Sequence, residues 1–175
     1  MIHDWQHALD GCPSASCAFI QMHGKASTTC ASDTVFLSSG LGTCIFPLPQ
    51  KKKVQHLTEI SSGNSNTSKQ WYTNSVDRPV KRLKSNVKLT FPSWTVSLPS
   101  DSDCSLTATT NVVGRYLNNV NIANVCTVGA TASTATGEFI HIEQASEARS
   151  GANYALWSQA VSNSFAAAAV PQDSF

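Results

Sequence analysis

A chain of 175 residues, 41% of them hydrophobic and 13% charged, is long enough for one domain with a real core and short for two large ones. It contains no run of 18 or more apolar residues, which excludes a transmembrane helix. The charged fraction is about half the ~25% usual in soluble domains, and with abundant Ser, Thr, Asn and Ala it suits a β-rich protein that assembles or sits in a complex. The net charge of +1 conceals a segregation: −2 over residues 1–50, +7 over 51–92 and −4 over the remainder. An anionic partner is therefore expected to meet the middle segment.

The first fifty residues mix small side chains, four cysteines and scattered aromatics without sustained period 2 or 3.6. They read as an arm or poorly ordered extension ending at PLPQKKK, with residues 51–175 as the main domain. The start, MIHDWQHALDGCPSASCAFI, has no basic opening and no apolar stretch of signal-peptide length. Export by the usual route is not expected, nor are stable disulfides among the six cysteines. The sequon at Asn66 then reads as chance rather than as a glycosylation site.

After Lys51–Lys53, VQHLTEIS alternates as a short strand ahead of the polar turn SSGNSNTSK, and a second short strand is expected over Gln70 to Val76. RPVKRLKSNVKLTF, residues 78–91, holds five of the twelve lysines and arginines. Leu83, Val87, Leu89 and Phe91 share odd parity with Ser85, whereas Arg82, Lys84, Asn86, Lys88 and Thr90 share even parity. In a strand these sets face opposite ways, one oily and one basic. Further strands are expected at Thr95 to Leu98, Leu106 to Val113, Val120 to Val128 and Glu138 to Gln144, which implies an antiparallel sheet. From Ser146 the period changes: Ala148, Ala152, Leu156 and Ala160, widened by Trp157 and Val161, predict a helix over about 147–163, N-capped by Ser146. A shorter helix is expected at Phe165 to Val170, stopped by Pro171.

The basic strand face is the leading functional feature, since cations that pair with phosphates lie in a row with Asn86 and Thr90, which can bond base edges or sugar hydroxyls. Lysines on an exposed strand also serve solubility and block edge pairing. Cys12, Cys17, Cys30 and Cys44, with His3, His7 and His23, raise zinc, but structural sites pair ligands at C-x₂₋₄-C and only the first pair approaches that. Cys104 and Cys126 read as buried or loop thiols. No G-x-S-x-G, H-E-x-x-H or Walker sequence occurs, and the carboxylates form no recognisable acid/base pair. His141 in FIHIEQ reads as a sheet-face histidine. The expectation is a non-enzymatic binding or structural protein without a cofactor.

Three stretches in order, VQHLTEIS, KRLKSNVKLTF and IEQASEARSGANYALWSQAVSNSFAAAAVP, make residues 54–175 resemble a coat protein of the single-stranded RNA bacteriophages. The resemblance implies an α+β fold: a five-stranded antiparallel sheet preceded by an N-terminal hairpin and followed by two C-terminal helices, in an interlocked homodimer whose helices cross the partner's sheet. It implies self-assembly into an icosahedral shell, residence in the virion and the host cytoplasm, no membrane, and single-stranded RNA bound on the inward sheet face. An operator hairpin repressing translation belongs to the same expectation. RNA contact falls on Arg82, Lys84, Asn86, Lys88 and Thr90, with Val87, Leu89 and Phe91 facing the helices. Two rivals stand beside it: a β-rich adhesion or pilus-like structural subunit, marked by a Cys104–Cys126 disulfide, and a small zinc-dependent nucleic-acid-binding regulator.

Overall fold

The structure is a computed structural model that describes residues 17–42 and 67–165. Four strands form one mixed sheet in the order β1-β4-β2-β3. β1 (Phe19–Gly24) runs parallel to β4 (Phe139–Gln144), in the register Phe19 to Phe139 through Gly24 to Gln144. β2 (Val35–Ser38) is antiparallel to β4 and parallel to the short β3 (Val96–Ser97). The sheet thus draws on both ends of the described chain. Residues 17–42 supply two of its four strands, and β2 lies between β4 and β3.

The alternation in FIHIEQ divides the sheet into two faces. Ile140 and Ile142 of β4, Val35 and Leu37 of β2 and Val96 of β3 pack into the apolar core with residues of the helices. Phe139, His141 and Glu143 take the opposite face with Phe36 and Ser38, and all five are buried as well. A segment after β3 covers that second face. Gly114 approaches so closely that a Cβ there would lie 2.5 Å from the Phe139 ring. Asn111 Nδ2 donates to Gln21 Oε1 of β1 at 2.6 Å.

Four helices occur among the described residues: α1, described over 67–73, α2 (Pro79–Thr90), α3 (Val112–Leu117) and α4 (Tyr154–Phe165). α2 begins where it does because Arg78 is extended, at φ −135°, and Pro79 follows at the first helical position. Val80, Leu83 and Val87, spaced i, i+3 and i+7, form a fully buried stripe against the sheet and α4. Each such side chain contributes roughly 1.5–3 kcal/mol through burial. α3 is capped by the Asn111 side chain, which accepts from Gly114 N at 2.9 Å. α4 buries Trp157, Ala160 and Ser164, and the Trp157 indole donates to Ala148 O at 2.9 Å.

These elements correct the sequence reading of the fold. The sheet is mixed and four-stranded, not five-stranded and antiparallel, and its helices are distributed along the chain instead of following the sheet as a C-terminal pair. Residues 78–91 are not a strand: they form α2, with only Arg78 and Phe91 flanking it. The strand expected over Gln70 to Val76 is largely α1. Leu106 to Val113 gives turns and the start of α3, and Val120 to Val128 gives a 3₁₀ turn at Ile122–Asn124. Asn111 and Asn121 decide these last two cases, because their side chains accept local backbone N–H groups and so begin helical turns.

Strands at Thr95 to Leu98 and Glu138 to Gln144 appear as β3 and β4. The C-terminal helix starts later than Ser146, which makes no cap bond; 3₁₀ turns at Glu147–Arg149 and Gly151–Asn153 precede α4. The strand read in VQHLTEIS and residues 166–170 of the final short helix lie outside the described residues.

A disulfide joins Cys30, between β1 and β2, to Cys104, after β3, across a separation of 74 residues. Cys17 is disulfide-bonded as well, whereas Cys126 is a free, exposed thiol. The expectation of reduced cysteines is corrected at these positions. Cys104 pairs with Cys30 and not with Cys126.

Candidate nucleic-acid interface

The change from strand to helix redistributes the basic residues. With 3.6 residues per turn, Lys81, Lys84, Ser85 and Lys88 lie along one edge of α2, while Arg82 and Asn86 lie along the other, towards α4. The Arg82 guanidinium donates through Nε to Ser164 O at 2.8 Å and through Nη1 to Asp77 Oδ2 at 2.7 Å. Asn86 Nδ2 donates to Arg82 O and to Ser164 Oγ, at 3.0 and 3.2 Å. These two residues therefore tie α2 to the end of α4. Thr90 is half-buried at the end of α2. Of the five sequence-predicted residues, Lys84 and Lys88 alone share the outward edge.

Leu89, expected on the oily face, is 78% exposed, whereas Leu83 and Val87 are fully buried. Leu83 and Leu89 are six residues apart: an even number in a strand, but about 120°, a third of a turn, apart around a helix. Lys81 was missed by parity reasoning. The signal that identifies it is the spacing 81, 84, 88, a helical edge about 10 Å long.

Each lysine of that edge has a local anchor. Lys81 Nζ donates to Val76 O at 2.9 Å and to Asn74 O. Lys84 pairs with Asp101. Lys88 Nζ donates to Pro92 O at 2.8 Å and Trp94 O at 2.7 Å, where a cation also opposes the negative end of the helix dipole. Burial depresses the Lys81 pKa, Arg78 adds to this and Asp77 opposes it. Burial acts to raise the Asp101 carboxyl, but bonds from Lys84, the Leu98 N–H and Ser100 hold it below its usual range. The three lysines and Ser85 flank an open groove of about 460 Å³, floored by Tyr72, Leu98, Ser100 and Asp101. From residue 67 to 92 the chain carries Lys69, Arg78, Lys81, Arg82, Lys84 and Lys88 against Asp77 alone.

Two other clusters bear on chemistry. On the sheet, the His141 ring lies 4.8 Å from that of His23, its Nε2 is 3.5 Å from Glu143 Oε1, and its Nδ1 is buried without a partner among the described residues. Burial, then the His23 charge, pushes the His141 pKa down to about 4, so it is neutral at pH 7. Near the disulfide, the buried Asp33 carboxylate accepts from Ser97 Oγ and Ser102 Oγ, each at 2.6 Å, beside a polar cleft of about 1110 Å³. Both oxygens of Asp33 are thus occupied.

The zinc reading loses two of its sulfurs, since Cys17 and Cys30 are in disulfides and offer no thiolate. His3, His7, Cys12 and Cys44 lie outside the described residues. No family model, curated protein or solved structure matches this chain.

Proposed function

We propose that this protein binds single-stranded RNA through α2, with Lys81, Lys84 and Lys88 neutralising phosphates along one helical edge. The observation that supports the reading most is the alignment of these lysines beside an open groove, in a segment with six cations and one carboxylate. Their present bonds are mostly to exposed backbone carbonyls, and exchanging such partners for phosphate costs little. In this reading Arg82 and Asn86 position α2 against α4 and do not touch RNA. A viral coat subunit that packages its RNA is the more specific form of the proposal; the resemblance that raised it has lost its basic strand, since KRLKSNVKLTF forms α2, and its five-stranded antiparallel sheet. In that form the chain meets RNA through a helix.

The test is direct titration of an unstructured, labelled oligoribonucleotide of twenty nucleotides. Affinity is expected to fall steeply with salt, the logarithm of the binding constant changing by roughly 0.7 per phosphate contact for each tenfold rise in salt. Absence of binding at 50 mM salt, a condition we set for the assay as one that favours phosphate contacts, rejects the reading. The coat form further requires ribonuclease-protected RNA in megadalton particles.

The Cys30–Cys104 bond favours a second reading, an exported structural subunit of the adhesion or pilus kind, because disulfides persist in oxidising settings. That reading requires no RNA affinity, so the same titration separates the two.

A further inference from the structure

At the start of α2, Arg78 is held more firmly than the lysines that follow. Its guanidinium carbon lies 4.1 Å from the centroid of the buried Trp71 ring, a cation–π arrangement. All its hydrogen bonds run through one nitrogen: Nη1 donates to Trp71 O at 3.0 Å, Asn74 Oδ1 at 2.5 Å and Val76 O at 3.4 Å. Nε and Nη2 have no hydrogen-bond partner among the described residues. A guanidinium fixed by its face and one terminal nitrogen retains the other edge for a bidentate anion contact.

Arg78 lines a hollow of about 470 Å³ with Gln70, Trp71, Asn74, Thr131 and Ser133. Gln70 and Asn74 stand one turn apart on α1 and its end, so their amides reach the same side. Gln70 is exposed, and the volume falls within the range of about 300–1,000 Å³ typical of small-molecule sites. Lys81, whose Nζ bonds Asn74 O, connects this hollow to the lysine edge of α2.

We infer that the Arg78 hollow is a subsite for one unpaired nucleotide of single-stranded RNA. Its phosphate takes the Nε and Nη2 edge of Arg78, and its base meets the Gln70 amide, the Asn74 Nδ2 donor and the hydroxyls of Thr131 and Ser133, since Asn74 Oδ1 already accepts from Arg78 Nη1, Lys81 Nζ and Val76 N. The inference rests on the proposed RNA binding and deepens it: α2 supplies sequence-independent attraction, and this hollow supplies base preference. The Gln70 amide, which both donates and accepts, is suited to reading a base edge, and an unpaired base presents that edge.

The experiment compares binding of labelled twelve-residue oligoadenylate and oligouridylate to the full chain and to the variants Arg78→Lys and Gln70→Ala, with melting temperatures recorded alongside. Arg78→Lys keeps the charge but loses the fork, so affinity is expected to fall about tenfold at fixed salt with an unchanged salt slope. Gln70→Ala is expected to shrink the affinity ratio between the two oligomers several-fold without changing the melting temperature. If the wild-type chain binds both oligomers and neither variant alters affinity or ratio, the subsite is overturned and the α2 reading stands. If the wild-type chain binds neither oligomer, both fall. Should Arg78→Lys fail to fold, Gln70→Ala decides alone: an altered ratio supports the subsite and an unaltered one removes it.

Discussion

In the polar layer of the sheet, His141 sits beside Glu143 and His23, with one ring nitrogen unpartnered among the described residues. Its folded pKa of about 4 lies below the unfolded value near 6.5. The unfolded chain therefore binds the proton more readily, and stability is lost as pH falls from about 6.5 towards 4. The shift corresponds to a loss of roughly 3 kcal/mol at most. Glu143, raised chiefly by burial, acts in the opposite direction as it ionises. His141→Gln is expected to flatten the dependence of the urea midpoint on pH across this window. An equal acid sensitivity in wild type and variant places the acid-labile group elsewhere.

At the scale of elements, α2 and its phase relative to the core make the sharpest claim. Leu83→Ala is expected to cost about 2–5 kcal/mol, because it opens a cavity beneath the helix. Leu89→Ala, at an exposed position, is expected to stay within about 0.5 kcal/mol. Chemical denaturation of both variants checks this pair, and similar losses at the two sites would restore the strand. KRLKSNVKLT was ambiguous in sequence because Leu83 and Val87 are four apart, a spacing that satisfies both period 2 and the helical face. Pro79 after an extended Arg78 was the legible sign of a helix start, and Lys, Ser and Asn are poor strand formers. FIHIEQ was readable because Ile140 and Ile142 alternate with His141 and Glu143 and are β-branched, which suits a strand. The site was half legible: composition located the segment, but the division of Lys84 and Lys88 from Arg82 and Asn86 depends on helical phase and on Ser164, a residue 78 positions beyond Asn86.

Across the whole molecule, a parallel pair made from residues 19–24 and 139–144, and a bond from Cys30 to Cys104, close the chain over long separations. No local periodicity encodes such pairings, which is why residues 17–42 read as an arm. Removing the disulfide with Cys30→Ser and Cys104→Ser is expected to cost about 4 kcal/mol by the loop-closure argument, measured as a loss of urea-unfolding free energy. A variant as stable as wild type shows that the pairing across β1, β4 and β2 suffices without it. No helix among the described residues is long and apolar enough to cross a membrane, and charge concentrates on α2.

That helix is the proposed RNA-binding surface. The most direct measurement is the salt dependence of oligoribonucleotide affinity for the wild-type chain and for the double variant Lys84→Ala, Lys88→Ala. The predicted result is weaker binding with the slope reduced by roughly 1.4, about 0.7 for each lysine, and a melting temperature lowered by only a few degrees for the lost Asp101 pair and helix-end contacts. Binding with the same slope and affinity after both lysines are removed would contradict the account.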